Sequence, residues 1–442
     1  IATVDLAHRY GVPILPRGGG TSLAGQTVGR AIVMDMSKYM NNVLEVNTEE
    51  QWARVQPGIV LEQLNHQIRD TGLFFAPDPA TANRSNVGGA IGNNSCGSHS
   101  ILYGKTIDQI KELETVLSDG YLAQLGPLTP FQLETKLHGD GLEGQIYRQV
   151  MEIANNNAEE VESRYPKLMR RVGGYNLDQL IDVPQVNFAK LIVGSEGTLA
   201  TVTEAKVNLV KRPKATALMA VHFQGLIEAM EATVATLEHS PAAVELVGRV
   251  ILQQIRISLG YSRRASFIEG DPHSILLIET AGDTEPEVAD KLEEIEKSLR
   301  RRGMGYAYIK MADRVEQANV WDVRKAGVGL MMGVQGQAKP IPFIEDCAVS
   351  TDQLPEYIRR IDEMIRENGT EAAYYGHASV GCIHVRPFIN LKEQADVDRM
   401  YNISKGASDL VMEMGGAMSG EHGDGLLRSM WNEKVFGTTL YN

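Results

Sequence analysis

The sequence is poor in cysteine. Its 442 residues hold three, Cys96, Cys347 and Cys382, far apart and odd in number. That excludes a disulfide framework, an all-cysteine zinc site and, within this segment, a four-cysteine iron–sulfur cluster. Such thiols suit a reducing compartment, and the cytoplasm is the expected location. Positive charge is also short. Against 56 Asp and Glu stand 43 Lys and Arg, a formal net charge of −13, with no basic run. A chain of this kind is a poor candidate for gripping nucleic acid or an anionic lipid surface. No apolar stretch approaches the roughly 18 residues that a membrane span requires. Hydrophobic residues at 43% and charged residues at 22% fit a globular protein of about two to four domains, not a disordered one. There is no fixed-period repeat. The chain opens at Ile1 inside a helical pattern and ends without a closing element after Thr438, so it is expected to be a segment of a longer polypeptide.

Glycine is abundant: 43 residues, against a usual share of about 7%. The excess is clustered, which points to backbone packed against something. Between Gly11 and Arg212 the pattern predicts short strands and tight turns. Strands are expected at Val12–Pro16, Ala31–Asp35, Val43–Asn47, Trp52–Val55, Leu113–Leu117, Leu191–Val193 and Leu199–Val210, with a helix over Leu61–Thr71. Beyond Arg212–Pro213 the elements lengthen into couplets. Strands at Ala215–Phe223, Ser274–Thr280, Tyr306–Met311 and Pro342–Val349 alternate with helices over Leu226–Glu238, Glu287–Arg302, Arg314–Met332 and Leu354–Asn368. A strand-like Ala372–Pro387 and a helix over Val397–Met414 follow. The fold class is α+β, with helices on one face of an antiparallel sheet in the second half.

The first glycine cluster runs Pro16-Arg17-Gly18-Gly19-Gly20-Thr21-Ser22-Leu23-Ala24-Gly25-Gln26, directly after a strand. Consecutive glycines let N–H groups curl into an anion-binding concavity, with two hydroxyls as further donors; taken bare, the run is only a flexible turn. It is no Rossmann fingerprint, because Leu23 stands where the third glycine belongs. The second cluster, Phe75 to Gly104, reads as a long polar loop suited to wrapping a flat ligand. Its Gly104-Lys105-Thr106 imitates a phosphate loop, but His99 occupies the position that must be glycine. The third is Gly194-Ser195-Glu196-Gly197-Thr198-Leu199, otherwise a hairpin turn with a solvent-facing glutamate.

Two histidine sites lie in the second half. Glycines, β-branched residues and Pro387 around Gly376-His377-Ala378-Ser379-Val380-Gly381-Cys382-Ile383-His384 argue for strand–turn–strand, which sets the imidazoles side by side. Ser419-Gly420-Glu421-His422-Gly423 holds a charged pair in a loop. Two histidines and a carboxylate make a site for Zn²⁺ or Mn²⁺ with open positions. Cys382 is read as a small buried thiol rather than a fourth, softer ligand.

These motifs, in this order and spacing, resemble the FAD-binding domain of the vanillyl-alcohol-oxidase/p-cresol-methylhydroxylase superfamily. The whole chain resembles the FAD-linked D-2-hydroxyacid dehydrogenases, above all the large bacterial D-2-hydroxyglutarate type. The resemblance implies a two-part FAD-binding domain over 1–212, a substrate (cap) domain over 213–415, and a segment 416–442 that returns the Glu-His motif to the flavin. It implies FAD held non-covalently, with Pro16, Arg17, Gly18, Gly19, Gly20, Thr21, Ser22, Gly25 and Gln26 at the pyrophosphate. Pro77, Asp78, Ser85, Gly88, Gly89, Asn93, Tyr103, Glu196, Gly197, Leu199 and Val202 would line the rest of the cofactor. His377, His384 and Glu421 match metal ligands, His422 the catalytic base, and Arg324 and Lys339 the holders of the substrate carboxylate. Departures are Cys382 for an asparagine, Val328 for a hydroxyl residue, and Arg386 for a polar neutral residue, where Arg386 is expected to compensate in the carboxylate grip.

The implied reaction is oxidation of a D-2-hydroxyacid by hydride transfer to flavin N5, metal-assisted. D-2-hydroxyglutarate is favoured, D-lactate or glycolate next. The electron acceptor is left among a quinone, a cytochrome and an attached iron–sulfur domain, whose 4Fe-4S cluster would lie outside this segment. Homo-oligomerisation and peripheral attachment to the inner membrane stay open. The rival readings are a flavin-dependent ether-lipid synthase-like transferase and a non-catalytic FAD subunit of an oxidase complex.

Overall fold

Short alternating runs of the first half pair where their apolar faces can be covered together. In the computed structural model, which describes residues 1–442, β1 (Ile14–Arg17) and β2 (Ile32–Asp35) pair in parallel. Five further strands are β3 (Val43–Asn47), β4 (Trp52–Val55), β5 (Ile110–Val116), β6 (Leu122–Leu125) and β7 (Thr201–Asn208). They form an antiparallel sheet in the order β3-β4-β7-β5-β6. Ala53, Val55, Leu113, Ala205 and Val207 enter one core with Leu61 and Leu64 of the helix Leu61–Gln67 and Tyr147 of the helix Gly141–Asn156.

The second half builds a seven-stranded antiparallel sheet. Its strands are β8 (Ala215–Phe223), β9 (Ala243–Gly248), β10 (Ser274–Gly282), β11 (Ala307–Met311), β12 (Lys339–Pro340), β13 (Ala372–His377) and β14 (Cys382–Ile389), ordered β11-β8-β10-β9-β13-β14-β12. Here the expectation of one covered face is corrected. Met219, Val221, Leu276 and Ile278 face a core shared with the helices Leu226–Leu237, Glu285–Arg301 and Leu354–Glu367. Leu218, Ala220, Ile275 and Leu277 face another, shared with the helices Arg249–Ile257 and Arg314–Met332. Helices on both faces are why Ala217–Val221 and Ile275–Ile278 are apolar without a break. Leu354–Glu367 buries Leu354, Tyr357, Ile358, Ile361 and Ile365, the stripe of a helix lying on one side of a sheet. No helix is long and apolar enough to cross a membrane.

Several local expectations also fail. Leu191–Val193 is not a strand; Ala189–Ile192 is a helical turn. Inside the glycine-rich loop from Phe75 to Gly104 lies the helix Val87–Asn93, held by burial of Val87, Ala90 and Ile91 despite its glycines. Pro342–Val349 is irregular, its only ladder pairings being isolated bridges at Ala348. The helix expected over Leu61–Thr71 breaks at Ile68 into a tighter turn. Helices Pro130–Leu137, Gly141–Asn156 and Ala158–Arg164 interrupt the strand-rich first half, and a helix, Asn432–Tyr441, closes the chain. After the helix Gln394–Glu413 the backbone crosses back to the first half, where the Leu426 N–H donates to the Ala24 carbonyl at 2.7 Å.

One side-chain bridge joins the halves away from this crossing. His99 Nδ1 lies 2.5 Å from Asp78 Oδ2 and its Nε2 lies 2.9 Å from Glu279 Oε1, while the Trp321 indole donates to Glu279 Oε2 at 2.9 Å. Both ring nitrogens meet acceptors, so the ring is protonated. Burial opposes that charge, but Asp78 and Glu279 outweigh it and hold the His99 pKa well above the usual histidine range. A raised pKa gives stability that is complete below the unfolded value of about 6.5 and disappears as pH climbs through the folded value. His99→Gln is therefore expected to lower Tm by several degrees at about pH 6, with the deficit shrinking steadily at higher pH. Differential scanning fluorimetry across pH checks this; a deficit independent of pH would count against the bridge.

Candidate functional site

The three glycine clusters meet around one cavity of about 830 Å³ that opens between the two sheets. Different glycines serve it differently. A Cβ on Gly19 would stand 2.2 Å from the Arg84 carbonyl, so that residue lets two backbone segments touch. Gly20 and Gly89 instead line the cavity with no atom within 4 Å of a Cβ position, so their bare backbone keeps the space free. Asn86 Oδ1, also lining, is a buried acceptor without a partner. Backbone concavity, open width and polar lining fit an extended, anionic, flat cofactor such as FAD.

Most of the expected cofactor residues line this space: Pro16 to Ser22, Gln26, Ser85, Gly88, Gly89, Asn93, Glu196, Gly197 and Val202. Six expected site residues do not. Gly25 packs under Leu426, Pro77 is buried, and Asp78 is committed to His99. Tyr103 sits edge-on to Phe74 with ring centroids 5.4 Å apart, and Leu199 faces outward. Lys339 turns to the Val334 carbonyl, 2.5 Å away, and lies outside the lining, whereas Arg324 is in it. Glu196 is not the solvent-facing turn residue of the plain reading. Its carboxylate accepts from the Asp424 and Gly425 N–H groups at 2.7 and 3.0 Å.

At one end of the cavity three imidazoles converge on a single oxygen. His377 ends β13 and His384 lies in β14, across a turn in which Gly381 takes φ +69. Their Nε2 atoms, and that of His422, stand 3.2, 3.1 and 3.2 Å from Glu421 Oε1. Each Nδ1 is turned the other way, toward an acceptor. His377 donates to Glu245 Oε1 at 2.7 Å, His384 to the Glu345 carbonyl at 2.9 Å, and His422 to Glu345 Oε1 at 2.7 Å. That arrangement fixes the tautomer that presents an Nε2 lone pair inward, the usual preparation of a metal-binding histidine. Lone pairs and a carboxylate aimed at one point repel unless a proton or a cation lies among them. The donor set fits a divalent ion of the zinc or manganese kind.

Asp346 extends this group, since donor atoms of Asp346, His384, Glu421 and His422 lie within 4.8 Å of one another. It also accepts from the backbone N–H of Glu421 and His422, at 3.0 and 2.8 Å, and from the Ser419 hydroxyl at 2.6 Å. Neither Asp346 nor Glu345, Glu245, Arg170 and Arg428 figured in the sequence reading. A signal existed for the first two: adjacent acids within the apolar run Pro342–Val349, both wholly buried. Cys382 is also fully buried, its Sγ 3.8 Å from Asp346 Oδ1, and burial pushes its thiol well up.

The charges are matched within the protein. Glu421 Oε2 receives Arg170 at 2.8 Å, Glu345 Oε1 receives Arg428 at 2.7 Å, and Glu245 Oε2 receives Arg324 at 2.5 Å. Burial raises the Glu245 carboxyl, but His377 and Arg324 overcome it and hold it at about 2. Burial likewise works against charge on Glu421 and His422. His377 and Arg170 nevertheless hold the Glu421 carboxyl well below its usual range, and Glu345 with Asp346 keeps the His422 pKa well above its usual value.

The two-lobed fold has counterparts among solved structures. p-Cresol methylhydroxylase superposes with a TM-score of 0.64 at 11% identity, over 98% of this chain and 80% of that one. Alkyldihydroxyacetonephosphate synthase gives 0.60 at 19%, over 99% and 71%. The chain shares the fold of these two proteins. The family model "FAD linked oxidases, C-terminal domain" matches residues 212–442 and "FAD binding domain" matches residues 1–126. The chain belongs to the FAD-linked oxidase family. It is 36% identical over 435 residues to D-2-hydroxyglutarate dehydrogenase of Pseudomonas putida, covering 96% of this chain and 43% of that protein. The chain thus spans less than half the length of that relative.

Because nothing stands where a Gly89 Cβ would go, Gly89→Leu is expected to fold with stability changed by no more than about 0.5 kcal/mol. Its side chain would fill the cavity, so FAD affinity should fall by at least about tenfold, measured by reconstituting the apoprotein with FAD. Unchanged affinity would place the cofactor elsewhere.

Proposed function

We propose that this chain is the flavin-bearing part of an enzyme that oxidises a D-2-hydroxyacid to the 2-oxoacid. D-2-hydroxyglutarate comes first as substrate, and D-lactate or glycolate next. The observation that carries the reading is the convergence of three imidazole Nε2 atoms on Glu421, at the end of the cavity that the glycine loops line. FAD would be held non-covalently, since no histidine lies in Gly18–Gln26 to form a link. Bound there, the flavin would supply a two-electron acceptor for the α-carbon hydride, and a zinc or manganese ion on His377, His384 and Glu421 would acidify the α-hydroxyl.

The chain's own residues do the rest. His422 takes the hydroxyl proton at Nε2, and Glu345, receiving Nδ1–H, fixes its tautomer and stabilises the resulting imidazolium. His422 must start neutral to act as base. The carboxylates that now raise its pKa are those whose charge a divalent cation would offset. Arg324 lines the cavity with its guanidinium anchored on Glu245, which orients it to hold the substrate carboxylate. Electrons would leave to a quinone, a cytochrome or an attached iron–sulfur domain, and three free buried thiols support a cytoplasmic setting. The synthase shares the fold, but the His–Glu cluster supports oxidation over group transfer.

Anaerobic mixing with D- and L-2-hydroxyacids is expected to bleach the flavin band with the D-enantiomer only. Chelator should abolish the response, and Zn²⁺ or Mn²⁺ should restore it. His422→Ala should keep the yellow colour while reduction slows by about 10²–10⁴-fold. Reduction at an unaltered rate would remove the assigned base.

A further inference from the structure

We infer that Arg386 is a second cationic hold on the substrate carboxylate, standing in for Lys339, which turns away from the cavity. The inference rests on the hydroxyacid reading above and adds a residue to it. Arg386 follows His384 by two positions on β14, so both side chains leave the strand on one face, and both line the cavity. Its guanidinium is 1% exposed, yet Nε and Nη2 have no hydrogen-bond partner. Those two nitrogens form the side-on edge of the guanidinium, the fork whose N–H groups donate to both oxygens of one carboxylate.

The other buried guanidiniums of the site are occupied. Arg170, Arg324 and Arg428 each donate to a carboxylate, on Glu421, Glu245 and Glu345 respectively. Arg386 hydrogen-bonds to none: the Glu345 Oε2 atom stands 3.9 Å from its Nη2, close enough for a long ion pair but beyond hydrogen-bond distance. Its Nε and Nη2 donors are left without an acceptor, and buried guanidinium donors call for one. The Tyr375 ring gathers the relevant groups: Arg324 and Arg386 lie 5.3 and 5.4 Å from its centroid, and the His384 ring 4.7 Å. A carboxylate on the Arg386 fork therefore stands next to the imidazole cluster. That is where the α-carboxylate belongs when the adjoining hydroxyl faces His422.

The test uses the protein loaded with FAD and metal, and malonate as an unreactive carboxylate probe, with binding followed by perturbation of the flavin absorption band. Arg386→Gln is expected to weaken malonate at least about 30-fold, and Arg386→Lys, which keeps the charge but loses the fork, about tenfold. KM for the 2-hydroxyacid should rise in parallel, with a smaller change in kcat. Malonate affinity equal to wild type in Arg386→Gln overturns the inference; if that variant does not fold, unchanged affinity in Arg386→Lys does so. Wild-type flavin left oxidised by every 2-hydroxyacid overturns the proposed function instead, and the malonate comparison still decides the role of Arg386.

Discussion

Glu421 Oε1 is the point on which the structure depends. Three imidazole nitrogens approach it within 3.2 Å, an arrangement that is repulsive unless positive charge lies among them. Much of the surrounding structure holds that tension. Glu245 and Glu345 take the outward Nδ1–H groups of His377 and His422, Arg170 neutralises the other oxygen of Glu421, and Asp346 anchors the backbone beneath it. Each of these is buried, so removing one partner would leave an unmet charge in a low-dielectric interior, a loss far larger than that of a surface pair. The polar end of the cavity is thus rigid for an electrostatic reason, while the glycine-lined end is open for a steric one.

The two ends are registered by hydrogen bonds that the chemistry itself does not use. The His422 carbonyl accepts from Gln26 Nε2 at 2.7 Å and from Asn93 Nδ2 at 2.9 Å, and Glu196 caps the next two N–H groups. Residues read from sequence as cofactor contacts therefore position the loop that carries His422. A disturbance of the glycine loops would reach the imidazole cluster through two or three bonds, without any change in the cluster's own residues.

Legibility in the sequence followed the range of the interactions. Amphipathic helices such as Arg314–Met332 and Leu354–Glu367 were readable because their stripes are local, as was the strand–turn–strand that brings His377 beside His384. The helix Val87–Asn93 was hidden, since its glycines deny local propensity and only the packing of Val87 and Ile91 enforces it. The second helical layer was missed because strand β9 and the helix Arg249–Ile257 that follows it went unread. In the site, motif-bearing residues could be named from sequence and their partners could not. Glu245, Arg170 and Arg428 reach the cluster from remote positions, and nothing in their neighbours along the chain announces it. Lys339 shows the opposite error, a position matched by motif whose side chain the fold directs elsewhere.

The bond between Gln26 and the His422 carbonyl spans 396 positions of sequence. During synthesis, the nucleotide-shaped loops near the start emerge from the ribosome long before the loop that completes the reactive end. Contacts of such separation form late, after the loop-closure entropy has been met. A nascent chain can therefore build its first lobe before the imidazole cluster exists. That cluster is complete only once residues 416–428, which carry Glu421 and His422, have docked against the first lobe.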